Sequence, residues 1–79
     1  GGMIVMLLSS QTLGRLLKAA RERKQITQTE AARLLRVSGR HYCDMENGKS
    51  DIRLSTLIKA VHYLDLDYEA LFREGVGQE

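Results

Sequence analysis

Apolar positions between residues 11 and 74 recur at helical spacing in short runs, with caps and turns between them. Leu13, Leu16, Leu17 and Ala20 predict a first helix over about Gln11 to Lys24. Arg15, Lys18, Arg21 and Glu22 fall largely on or beside its polar face. Thr27 is followed three residues later by Glu30, the reciprocal spacing of a capping box. A second helix is therefore expected from Gln28 to about Leu35, with Ala31, Ala32, Leu34 and Leu35 inward or partly inward. Arg36 and Val37 make a tight turn, and Ser38 offers a second cap. A third helix then runs from Gly39 to about Asn47 on an inner stripe of Val37, Tyr42 and Met45, and Gly48 stops it. After the loop from Lys49 to Arg53, the apolar face Leu57, Ile58, Val61 and Leu64 predicts a fourth helix over about Ser55 to Leu64. Asp67 caps a last short helix through Phe72, anchored by Leu71 and Phe72.

The apolar run Ile4 to Leu8 stands apart, cut off from the first helix by Ser9-Ser10. It fits a short strand, a packing arm or part of a dimer contact. A strand of that hydrophobicity left unpaired is a sticky edge, so the expectation is that a second copy covers it. Gly1-Gly2 ahead of Met3 reads as a cloning scar. The resulting organisation is a scar and apolar arm over 1–10, one helical domain over 11–74 and a frayed tail over 75–79.

Composition narrows the class. Seventy-nine residues make one small domain, and a hydrophobic fraction of 43% is that of a globular chain. Leucine and alanine carry the apolar content, and there is no proline or tryptophan, which favours helices. One cysteine excludes an internal disulfide or a Cys-rich zinc site, and His41 and His62 lack ligand-like company. No metal and no cofactor are expected. No segment reaches the roughly 20 apolar residues of a membrane span, so the expected setting is cytoplasmic and reducing.

Charge is uneven although its sum is only +2. From Arg15 to Lys49 nine basic residues stand against four acids, 9 − 4 = +5. From Ser50 to Glu79 three bases face six acids, 3 − 6 = −3. The first part suits a polyanion. In its midst lies "VSGRHYCDMENG", residues 37–48, with an arginine, a histidine, a cysteine and an aspartate set to face outward. Two short helices joined by a turn of three or four residues are the layout of a helix-turn-helix, whose second helix enters the major groove by its N-terminal residues. Ala32 supplies the small side chain that lets the two helices approach.

The stretch "LGRLLKAARERKQITQTEAARLLRVSGRHYCDMENGKSDIRLSTLIKAVHYLDL" resembles the lambda-repressor-like, or XRE-type, helix-turn-helix family over about residues 13–72. Its specific parts are "ITQTEAARLLRVS", "MENGKS" and "LSTLIKAVHYLDL". The resemblance implies an all-α, five-helix lambda-repressor-like DNA-binding domain with a short apolar N-terminal arm. It implies that Gln28 opens the second helix on a phosphate and supports the reading helix, with the caps Thr27 and Ser38 also at the DNA backbone. Gly39, Arg40, His41, Cys43 and Asp44 become the groove-facing set, and Asn47, Lys49 and Arg53 become backbone contacts. Arg21 and Glu46 match an ion pair that ties the first helix to the end of the third and aims it.

The departures from the family pattern are specific. Arg36 stands where a turn glycine is usual, so mild strain is expected there. Ala31 replaces a common leucine, leaving volume for Tyr42 or the arm. Gly39 lacks the base-reading side chain of many members, and Asp44 places a negative charge where glutamine or lysine is frequent. Asp44 either accepts from cytosine or orients Arg40, four residues away on the same face. Arg40 is the leading candidate for a bidentate guanine contact, with a phosphate contact as its alternative. His41 fits a solvated side chain as well as a contact, and the acidic neighbours of Cys43 argue against a reactive thiolate. His62 and Tyr63 fit packing or a dimer contact.

The expected function is sequence-specific binding of double-stranded DNA by a homodimeric transcriptional repressor, bacterial or phage and nucleoid-associated. Two alternatives stay open. One is a DNA-binding antitoxin with a partner toxin, since "GKSDIRLSTLIKAVHYLDL" is similar to antitoxins of the kinase-toxin type. The other is a protein-interaction module that keeps the fold without base reading. No catalytic constellation is present in the sequence, and an enzyme is not expected.

Overall fold

A computed structural model describes residues 9–70 of the chain, and among these residues the fold is all-helical, with no strand. The helices are α1 (Ser10–Arg23), α2 (Gln28–Leu35), α3 (Gly39–Glu46) and α4 (Leu54–Leu64). Residues 68–70 are again helical where the described chain ends. The arm Ile4 to Leu8, the anchors Leu71 and Phe72 and the tail 75–79 lie outside the described residues.

Local chemistry sets most boundaries. Ser9 is the cap of α1, its side chain accepting from the Thr12 amide at 3.1 Å, so the helix begins one residue earlier than the apolar pattern alone predicts. At α2 both halves of the capping box are present between Thr27 and Glu30. Ser38 accepts from the His41 amide at 3.0 Å and starts α3. Asn47 is the C-terminal cap of α3, and Gly48 follows with φ +75°, a backbone that suits glycine. Asp67 Oδ1 accepts from the amides of Glu69 and Ala70, fixing the last helical turn.

The core forms where the four helices meet, on Leu17, Leu35, Tyr42, Met45 and Leu64, all with 1% exposure or less. Ala20, Ala31 and Ala60 are equally buried and let the helix axes approach closely. Two inward assignments are corrected. Leu34 is 40% exposed, because α2 centres its buried arc on Ala31, Ala32 and Leu35. Ile58 is 60% exposed, because the buried arc of α4 runs through Thr56, Leu57, Ala60 and Leu64. Ile58 sits about 100° round the helix from Leu57, off that arc.

Three turns carry non-glycine residues in the left-handed region: Gln25 (φ 57°), Arg36 (φ 59°) and Asp65 (φ 53°). Arg36 occupies the αL position that ends α2, with ψ 43°, so the strain expected from its sequence is located in its own backbone. Asp65 ends α4 in the same way and is paired on the surface with Lys24 at 2.7 Å. That ammonium, through a hydrogen bond, holds the Asp65 carboxyl below its ordinary pKa.

Candidate nucleic-acid interface

The face in question is the outer side of α3 with the segments at its two ends. Tyr42, Met45 and Glu46 anchor the helix inward. The complementary positions Gly39, Arg40 and His41 are exposed, and Cys43 and Asp44 are half-buried. An ideal Cβ on Gly39 would meet nothing within 4 Å, so the leading turn of the helix is open in front. The i,i+4 pairing of Arg40 with Asp44 is not formed: the ion pairs among the described residues are Arg21–Glu46 and Lys24–Asp65. The guanidinium of Arg40 is thus left to an outside acceptor.

The remaining candidates flank this helix in the chain. Thr27, Ser38, Asn47, Lys49 and Arg53 are exposed, and Gln28 is half-buried. Asn47 Nδ2 donates weakly to Cys43 Sγ at 3.5 Å, one turn back. The Thr27 and Ser38 hydroxyls are occupied as helix caps, so each retains only part of its bonding capacity for a ligand. The loop that carries Lys49 and Arg53 is fastened at its middle, where the Ser10 hydroxyl donates to Asp51. The link between Ser10 and Asp51 is not legible in the sequence, where Ser9-Ser10 reads as a break.

Behind the face sits a polar cluster. Glu46, whose side chain is 2% exposed, accepts from Arg21 Nε at 2.6 Å and from Arg21 Nη2 at 3.3 Å. Arg21 Nη1 also donates to the Ile26 carbonyl at 3.1 Å, and Gln28 Nε2 donates to Glu46 Oε1 at 3.0 Å. The first residue of α2, the last of α3 and the fourth turn of α1 therefore meet at one carboxylate. Burial pushes the Glu46 pKa up, but the donors around it, led by Arg21, outweigh burial and hold it below its ordinary value. The hydrogen bond to Glu46 raises Arg21 in turn, so both groups are charged at neutral pH. The Tyr42 hydroxyl is buried beside this carboxylate yet makes no hydrogen bond, and burial raises its pKa.

Sequence reasoning missed Gly14. A Cβ there would stand 2.5 Å from the Met45 carbonyl oxygen and 2.6 Å from that of Glu46. Here the backbone of α1 crosses directly on the C-terminal carbonyls of α3. A glycine in mid-helix, costly by propensity, is the one sequence signal that pointed to it.

A family model described as a helix-turn-helix domain matches residues 12–74. Among solved structures, the crystal structure of the clp gene regulator ClgR from C. glutamicum is similar, with a TM-score of 0.75 and 27% sequence identity. The similarity covers 89% of this chain and 90% of that one. No curated protein matches the chain.

Proposed function

The chain belongs to the helix-turn-helix domain family, and on that premise we propose that it is a DNA-binding transcriptional regulator, a repressor, that reads duplex DNA in the major groove with α3. The observation that carries this reading is the exposed leading turn of α3, with Arg40 unpaired and the opposite face of the helix buried on Tyr42, Met45 and Glu46. Arg40 then reads guanine, with Gly39, His41, Cys43 and Asp44 along the same groove wall. Gln28, Thr27, Ser38, Asn47, Lys49 and Arg53 hold the DNA backbone, and the Arg21–Glu46 pair aims α3. ClgR, a gene regulator of similar fold, supports the assignment.

The DNA-binding domain in this reading spans 11–74, with 1–10 as an arm and 75–79 as a tail. The protein acts as a cytoplasmic homodimer on half-sites about 10 base pairs apart, without enzymatic activity. No helix among the described residues is long and apolar enough to cross a membrane.

A second reading, a protein-interaction module without base reading, is favoured by the bare Gly39 and the acidic Asp44. The antitoxin alternative rests on the resemblance of residues 48–66 and requires a partner toxin. Selection of duplexes from a random pool at about 150 mM salt separates these readings. Enrichment of an inverted repeat is expected, with Arg40→Ala relaxing preference at one base pair per half-site at a cost of about 1–3 kcal/mol. Absence of any enriched sequence with the protein alone overturns the reading as a self-sufficient repressor and leaves the interaction module and the antitoxin. The antitoxin alternative predicts enrichment only when the partner toxin is co-purified.

A further inference from the structure

The most exposed large aliphatic side chains among the described residues are Leu54 (54%) and Ile58 (60%), both on α4. They stand four residues apart on one face, and half-buried Val61 continues that stripe toward the core. The patch is small. Two half-exposed side chains fall well short of the roughly 800 Å² per partner that a stable association between copies buries. A segment already tied to the domain needs no such area, because a short tether holds its local concentration in the millimolar range. Such a segment joins the domain beside the patch. Six consecutive apolar residues, Met3 to Leu8, run directly into Ser9, the cap of α1. The next residue, Ser10, donates its hydroxyl to Asp51. Asp51 stands three positions before Leu54, the first residue of α4, within about 10 Å of chain. Ile58 lies about 6 Å further along the helix. Six residues reach about 20 Å, so the apolar segment is long enough to cover both side chains from its fixed point at Ser10.

We propose that the Leu54–Ile58 face of α4 is the docking site of the apolar segment Ile4–Leu8 of the same chain. The Ser10–Asp51 bond then has a purpose beyond the loop it fastens: it aims the segment at α4. The assignment also replaces the partner that the sequence alone suggests for this segment. A second copy is not needed to cover it, because a matching face of its own domain lies within its reach. The inference is independent of what α3 reads.

A double-mutant cycle on the stability of the full chain tests this. The segment variant carries Ile4→Ser, Val5→Ser, Leu7→Ser and Leu8→Ser, and the face variant carries Leu54→Ser and Ile58→Ser. Urea unfolding is followed by circular dichroism at two protein concentrations about a hundredfold apart. The segment variant is expected to lower the folding equilibrium constant about five- to tenfold, the burial gained being partly offset by the ordering of the segment. In the face-variant background the same change should cost less than about twofold, at both concentrations alike. An equal loss in both backgrounds, or no loss in either, overturns the proposal. Coupling that appears only at the higher concentration gives the face to a second copy and overturns the assignment to the same chain. Should either variant fail to fold, the wild-type protein supplies the test by nuclear magnetic resonance. Magnetisation transfer between the methyl groups of Ile58 and those of Ile4 to Leu8 is expected in uniformly labelled protein. In a mixture of labelled and unlabelled chains, transfer from one molecule to another is expected to be absent. No transfer in the first sample, or transfer between molecules in the second, overturns the proposal.

Discussion

Gly14→Ala is the substitution for which helix propensity and this tertiary structure predict opposite signs. By propensity the change stabilises an α-helix interior by about 1 kcal/mol. In the structure the new methyl would lie 2.5 Å and 2.6 Å from the carbonyl oxygens of Met45 and Glu46. Ordinary contact begins near 3.4 Å, so α1 and the end of α3 must part by about 0.9 Å. Neither oxygen is on a side chain that can rotate away. Overpacking of a fixed core contact costs about 1–3 kcal/mol, and two backbone atoms on one methyl put this site at or above the top of that range. The net expectation is a destabilisation of about 2 kcal/mol, which lowers the melting temperature by roughly 8–16 °C for a domain of this size.

The assay is urea denaturation and thermal melting followed by circular dichroism. Gly39→Ala is the control: a methyl there meets nothing within 4 Å, and the substitution should be neutral or mildly stabilising. The displacement in Gly14→Ala falls on Glu46, so the folded variant should also bind DNA less well than the wild type. If Gly14→Ala melts at or above the wild-type temperature, the close crossing of α1 over α3 is refuted, and with it the account of how α3 is seated.

Arg36→Gly removes an arginine from φ 59°, where a Cβ costs roughly 1–2 kcal/mol, and part of that gain is offset by glycine's entropy. A net stabilisation of about 0.5–1 kcal/mol, read as a higher urea midpoint, is expected, and a fall in the midpoint would place that turn in another conformation. Tyr42→Phe deletes a buried hydroxyl without a partner and should raise stability by about 1 kcal/mol; a loss of that size would mean that the hydroxyl bonds Glu46 after all. For Glu46 the folded pKa is depressed, so its stabilisation is complete above the unfolded pKa of about 4.3 and is lost as pH falls through the folded value. Stability contributed by this group should be flat from pH 8 to about 5 and decline in stronger acid. In acid titrations followed by melting, Glu46→Gln should remove part of that decline, and an identical decline in both proteins refutes the assignment.

The sequence by itself determined the helices and where they start and stop. Thr27 with Glu30, Ser38 and Asp67 act on amides two or three residues away, so their work is written locally and survives in any context. The candidate reading face was legible for the same reason: once a cap fixes the first residue of α3, helical periodicity puts Tyr42 and Met45 on one side and Arg40 and His41 on the other. The Arg21–Glu46 pair entered only through a family resemblance, because 25 residues separate its members and no local pattern links them. Tertiary structure alone decided the rest. It fixed which apolar side chains at the edge of each helical arc are buried, leaving Leu34 and Ile58 outside because the packing partner, not the periodicity, sets the arc's centre. It also brought Ser10 to Asp51, Gln28 to Glu46 and the backbone at Gly14 onto the end of α3. These contacts join residues far apart in the chain, and their energies arise from close approach and burial, which a sequence pattern records only as an unexplained glycine or an isolated polar residue.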